Sequence, residues 1–273
     1  SFPNKEDEVN PDSRIFSNYY LRIEPEVRLR RAIHAQDTAL VARIIKSHPH
    51  LLHNPDTSSP TTHTPSGLSN TSLHLASSIN CLPICKLLLD LGHEGKPEVP
   101  QTSLNENYET PLHLAAREGH SEVVHLFCER CPTCILRRDI RGKNALMVAA
   151  IGGHDTVLQI LLTFAPGRHD GGEEDTKKIV DAVDHDGNTA LHFATMYGHL
   201  PVLRTLLAAG ADWEKRNCWS WQPVSYCATV QVEVYYKGLV SEAERKRKFA
   251  AEPQNPNIGN PVTLAPTGNR EEI

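Results

Sequence analysis

Thr110-Pro111-Leu112-His113-Leu114-Ala115-Ala116-Arg117-Glu118-Gly119-His120 is the stretch from which the fold is read. Its opening recurs as Thr71-Ser72-Leu73-His74-Leu75-Ala76, as Asn144-Ala145-Leu146-Met147-Val148-Ala149-Ala150 and as Thr189-Ala190-Leu191-His192-Phe193-Ala194. The four copies start at residues 71, 110, 144 and 189, so a unit of about 33 residues with insertions accounts for them. Gly119-His120, Gly153-His154 and Gly198-His199 hold the same place in three copies, and an apolar run follows each. Thr or Asn at the entrance is suited to capping a helix. Leu and Ala at helical spacing make one tight apolar face, and the Gly ends the first helix in a left-handed conformation. Asp139 to Gly142 and Asp184 to Gly187 are turn sequences leading into two of the units.

Two weaker units flank the four. Val27 to Leu52 reads as a first unit without its turn, with Arg28, Arg30, Arg31 and Lys46 as the polar face of a cap. One period after Thr189 comes Gln222-Pro223-Val224-Ser225-Tyr226-Cys227-Ala228, read as the last unit. It departs from the pattern, because Gln231 stands where the helix-ending Gly belongs. Val230, Val232 and Val234 alternate as in a strand; the repeat frame demands helix, and helix is the expectation.

Taken together, these motifs resemble the ankyrin repeat. The resemblance implies an all-α, ankyrin-repeat solenoid of about six helix-turn-helix repeats with short β-turn fingers, spanning residues 25–248. Residues 1–24 read as a polar extension and 251–273, rich in Pro, Asn and Gly, as a disordered tail. Insertions at 54–70 and 167–178 are read as loops.

The chain has 273 residues, 39% of them hydrophobic and 22% charged, and a net charge of -5. That balance argues against a dedicated nucleic-acid binder. No run approaches the ~18 apolar residues of a membrane span. The chain opens on Ser1, so it reads as a fragment or a processed form, and no charged-then-apolar leader speaks for secretion. Seven cysteines without a dense framework fit reduced thiols in cytosol or nucleus.

The residues that invite a chemical reading are absorbed by the frame. His74, His113 and His192 share one repeat position, where an imidazole bonds the Thr hydroxyl and nearby backbone; His120, His154 and His199 share another. His120 and His125 about Glu122 lack the spacing of a zinc protease helix. Cys128, Cys131 and Cys134 form C-x-x-C-x-x-C, but a closed zinc site wants a fourth ligand. Asp184-His185-Asp186-Gly187-Asn188 imitates a calcium loop, yet Gly and Glu are missing at the sixth and twelfth places. With no phosphate-binding or nucleophile motif either, the expectation is no enzyme, no metal and no cofactor. Arg245 to Lys248 reads as a solvated helix end, with nuclear import or an anionic-lipid contact as the functional alternative. Ser59-Pro60 and Thr64-Pro65 are candidate phosphorylation sites.

An array of this kind presents an extended concave surface of loop tips and first-helix faces. The frame places Ile140, Arg141, Lys143, Ile151, His185, Met196, Tyr197, Trp219 and Trp221 there, an apolar and aromatic centre with basic edges that suits a protein interface. Trp219 or Trp221 has a structural alternative, covering the end of the core.

The flanks carry a narrower resemblance. Glu24-Pro25-Glu26-Val27-Arg28-Leu29-Arg30-Arg31-Ala32-Ile33, Leu88-Leu89-Asp90-Leu91-Gly92-His93-Glu94 and Trp221-Gln222-Pro223-Val224-Ser225-Tyr226-Cys227-Ala228 resemble the fungal ankyrin-repeat subunit of target of rapamycin complex 2. This implies a non-catalytic accessory subunit, cytoplasmic or at the plasma-membrane periphery through its complex, that docks on other kinase-complex subunits. Neither nucleic acid nor a small-molecule substrate is expected, and membrane association is only indirect. Two alternatives stay open: an assembly chaperone for ribosomal or proteasomal proteins, and a nuclear regulator masking a transcription factor.

Overall fold

Where the sequence supplies a cap and an apolar stripe, a helix forms. The computed structural model describes residues 23–53, 69–96, 99–100, 103–165 and 173–251. Helices run as α1 Pro25–His34, α2 Thr38–Ser47, α3 Ser72–Ser78, α4 Leu82–Asp90, α5 Pro111–Glu118, α6 Ser121–Arg130, α7 Ala145–Gly152 and α8 Asp155–Thr163. After them come α9 Glu173–Val180, α10 Ala190–Tyr197, α11 Leu200–Ala208 and α12 Val230–Ala251. Single 3-10 turns lie at Pro49–His53, Pro132–Leu136 and Pro223–Tyr226. Gly95–Lys96 and Val99–Pro100 form a two-residue antiparallel ladder.

The helices pair in sequence order and stack in two layers. The first helices α1, α3, α5, α7 and α10 make one layer, and the 3-10 turn Pro223–Tyr226 extends it. The second helices α2, α4, α6, α8, α11 and α12 make the other. Each first helix after α1 is packed on both sides, so α7 buries every residue from Ala145 to Ala150. Leu112, Leu146 and Leu191 are at most 1% exposed, and burial of such a side chain stabilises the fold by about 1.5–3 kcal/mol. One apolar core runs through the array from Leu29 to Tyr236.

The last unit is helical, as its frame requires. Its first helix is reduced to the Pro223–Tyr226 turn, and α12 runs through Gln231 without a break. Val232 and Tyr236, one helical turn apart, are its buried anchors, so the valine alternation is incidental. α12 continues to Ala251, the first residue assigned to the tail.

The insertion at 167–178 is corrected: its second half is not loop but the start of α9. Ile179 and Val180 are buried and pin the helix to the core, while Lys177 and Lys178 in its last turn suit the helix dipole. The other insertion, including Ser59 and Thr64, lies outside the described residues up to residue 68, as do residues 1–22 and 252–273.

Candidate protein-binding surface

Four fingers precede first helices, and each is built on one Asx side chain. Asp139 Oδ1 accepts from the backbone N–H groups of Arg141 (2.9 Å) and Lys143 (2.8 Å). Asp184 does the same for Asp186 (3.0 Å) and Asn188 (2.8 Å). Asn105 holds Asn107 and Glu109, both at 2.9 Å, and Asn217 holds Trp219 (3.1 Å) and Trp221 (3.0 Å). The fingers are then sewn to one another. Ile140 N–H donates to Asn107 O (2.8 Å), His185 to Arg141 O (3.0 Å) and Cys218 to Asp186 O (3.0 Å). A continuous backbone row results, in which each finger is hydrogen-bonded to the next.

Two histidine ladders join neighbouring units, the first through the fingers and the second through the first helices. In the first, Nδ1 lies 2.8–2.9 Å from the threonine hydroxyl in the pairs Thr71–His74, Thr110–His113 and Thr189–His192. Nδ1 also accepts from the same threonine's backbone N–H. Nε2 then donates forward to the last carbonyl of the next finger: Glu109 O for His74 (2.9 Å), Lys143 O for His113 and Trp221 O for His192 (both 3.2 Å). These bonds need a neutral ring with its proton on Nε2. Burial keeps it neutral, pushing His74 down to about 4 and lowering His113 and His192. In the second ladder Nε2 donates backwards to a first-helix carbonyl: His120 to Ser78 O (2.9 Å), His154 to Arg117 O (2.8 Å) and His199 to Ile151 O (3.0 Å). Every one of these histidines is a structural brace.

Ile140, Arg141, Lys143, His185, Met196 and Trp219 come together around one depression of about 560 Å³. Ile151 lines the adjoining depression of about 350 Å³, which shares the ridge Ile140, Arg141 and Lys143. Two expected residues stand apart. Tyr197 stacks on His199, its ring 6.2 Å away and nearly parallel. Trp221 tilts against Tyr226 at 5.3 Å, the packing on the last unit that the alternative reading allowed. Tyr197, Trp219 and Trp221 are all more than half exposed.

Phe193 and Tyr226 also line the larger depression and were not among the expected residues. The signal for Phe193 lies in the repeat frame, where Leu75, Leu114 and Val148 hold the equivalent place and only this copy is aromatic. Lys143 Nζ sits 4.7 Å above the Phe193 ring, a cation–π contact that fixes the lysine over the apolar floor. Arg117 is spent elsewhere: its guanidinium pairs with buried Glu109. Burial would raise the Glu109 carboxyl, but the Asn105 amide and Arg117 outweigh it and hold it below the usual range. Cys128, Cys131 and Cys134 are buried, and no group of three or more metal-ligating side chains occurs among the described residues.

A family model described as ankyrin repeats (3 copies) matches residues 29–136 and 132–217. The chain is similar to the target of rapamycin complex 2 subunit AVO2 of Saccharomyces cerevisiae, 30% identical over 226 residues, covering 82% of this chain and 47% of the relative. It is 30% identical over 176 residues to the B-cell lymphoma 3 protein homolog of Mus musculus, covering 63% of this chain and 36% of that one. The chain thus spans less than half the length of either relative. Among solved structures, the ankyrin repeat domain of Bcl-3 superposes with a TM-score of 0.56 at 24% identity, covering 82% of this chain and 90% of that domain.

Proposed function

This chain belongs to the ankyrin-repeat family, and from that premise we propose that it is a non-catalytic protein-interaction module that grips a partner along its finger row. The observation that carries the reading is the depression floored by Ile140, Met196 and Trp219 and edged by Arg141 and Lys143. Half-exposed aromatic and aliphatic anchors with basic edges are what binding hot spots are made of. The rigid finger row lowers the entropy lost on binding.

The finer reading is an accessory subunit of a target of rapamycin complex 2, docking on its other subunits. The similarity to the yeast subunit over 82% of this chain supports it. On this reading the protein works in the cytoplasm or at the membrane periphery, carried there by its complex. Masking of a transcription factor is the second reading, favoured by the exposed basic run Arg245 to Lys248, which would serve as a nuclear-import patch.

The test is affinity purification of the tagged protein from its own cells, beside an Ile140→Ala/Trp219→Ala form. Recovery of a target of rapamycin kinase and its complex-two scaffold, lost from the double variant, is the expected result. Recovery of transcription factors in their place moves the conclusion to the second reading. Partners retained equally by both forms remove the site.

A further inference from the structure

The C-terminal end of the array carries a second groove, away from the fingers. α12 has 22 residues and its neighbour α11 has nine; at 1.5 Å per residue these are about 33 Å and about 14 Å long. α12 buries Val232 and Tyr236 and half-buries Leu239 and Val240, and then outruns its neighbour: Glu244 to Lys248 are exposed. Between the overhanging half and the body lies a groove of about 760 Å³. Leu207, Ala211, Trp213 and Leu239 give it an apolar floor, and Lys177, Arg204 and Arg247 stand on its rim.

The charge of the groove leans positive. Glu242 is paired with Lys246 at 2.8 Å, which leaves Lys177, Arg204 and Arg247 against Asp212 and Glu214 on the lining, and the exposed run Arg245 to Lys248 adds to the basic side on the overhanging half of α12. Arg204 and Arg247 have no carboxylate partner among the described residues. Asp212 and Glu214 are the carboxylates of the lining that stand against them. A recessed apolar floor between helical walls receives the apolar face of a helix, whereas a flat bilayer cannot follow it inward. We infer that this groove docks an amphipathic helix of a partner protein whose outer face is acidic, so that the module joins two proteins, one at the fingers and one at α12.

The test uses the 273-residue chain and a fluorescein-labelled, 18-residue helical peptide with Leu on one face and Glu on the other. A scrambled peptide and one with Lys replacing every Glu serve as comparisons. Fluorescence anisotropy is expected to show binding of the acidic helix at least tenfold tighter than of either comparison. Arg204→Glu/Arg247→Glu is expected to abolish that preference and to favour the Lys peptide, whereas Ile140→Ala/Trp219→Ala leaves it unchanged. Should the charge-reversed form fail to fold by circular dichroism, Arg204→Gln/Arg247→Gln takes its place and the preference is lost without reversal. Equal binding of all three peptides overturns the inference, as does an acidic-helix preference that survives the arginine substitutions. Binding of phosphatidylserine vesicles through these arginines without any acidic-helix preference also overturns it.

Discussion

The imidazole of His154 occupies the space that a side chain on Gly119 would need. A Cβ there would lie 2.5 Å from Nδ1 of the ring, and the same ring donates from Nε2 to Arg117 O. Gly119 is also left-handed, with φ +80°. The glycine is therefore required twice, once by its own backbone and once by the next unit's brace. Gly153 and His199 repeat the arrangement, with a Cβ 2.6 Å from Nδ1. Stacking of neighbouring units runs through these contacts.

Gly119→Ala is accordingly more damaging than Gly210→Ala. Gly210 has φ +84° and nothing within 4 Å of a built Cβ, so its substitution costs only the left-handed strain of about 1–2 kcal/mol. Gly119→Ala adds the overlap with His154, roughly 1–3 kcal/mol more. Urea denaturation of both variants measures the difference, and His154→Ala in the Gly119→Ala background is expected to recover part of it.

Acid weakens the array through its braces. His74 is held near 4, and His113 and His192 are lowered in the same direction by burial. The unfolded chain takes up these protons from about pH 6.5 downward and the folded chain resists, so stability falls with falling pH. For His74 the loss is complete near pH 4. The lowered Glu109 acts in the same sense: its contribution is present above the ordinary carboxylate range and is lost as the pH falls through its folded value. Thermal melts from pH 7.5 to 4 are expected to show a continuous decline, shallower in His74→Gln.

Asn217 ties the last finger to the site. Besides the turn bonds to Trp219 and Trp221, its Nδ2 donates to Asn188 Oδ1 (2.9 Å) and Tyr226 Oη (2.7 Å). Asn217→Ala is expected to cost about 2–3 kcal/mol, from buried groups left unpaired. It should also weaken partner binding, because Trp219 loses its anchorage. Asn217→Asp keeps the turn acceptor and loses the donor, so it should fall between the two in both calorimetry and binding.

Trp219→Ala separates binding from folding. The side chain is 57% exposed, and such surface positions change stability by about 0.5 kcal/mol or less. Loss of a hot-spot anchor costs about 2 kcal/mol or more, roughly thirtyfold in affinity. Tyr197→Ala is expected to weaken binding less, since Tyr197 lies against His199 and not in the depression. Titration calorimetry with a purified partner beside a thermal melt reads both quantities.

How much of this was legible in the sequence can be followed residue by residue. Thr110, His113 and Gly119 announce a cap, a brace and a stop, and the structure uses each in that way. The fingers at Asn105 and Asn217 lack the glycine of the Asp-x-x-Gly pattern, since Tyr108 and Ser220 stand there and adopt positive φ of 56° and 61° themselves; only the repeat period places Trp219 and Trp221 on a finger. α9 was hidden by Gly171-Gly172 and by an acidic run that looks like loop, while its anchors Ile179 and Val180 fall just beyond the insertion. The gathering of Ile140, His185 and Trp219 was foreseeable from the frame. Phe193 and Tyr226 were not picked out, since their place on the floor depends on how consecutive units stack. The length of α12 beyond α11 is likewise a property of the assembled array.

Hydrogen–deuterium exchange of the partner-bound chain against the free chain tests the finger-row account most directly. The account predicts slowed exchange in the fingers at 139–143, 184–188 and 217–221 and in α7 and α10, with the outer faces of α6 and α8 unchanged. Protection confined to the second-helix layer, with the fingers exchanging as in the free protein, would contradict it.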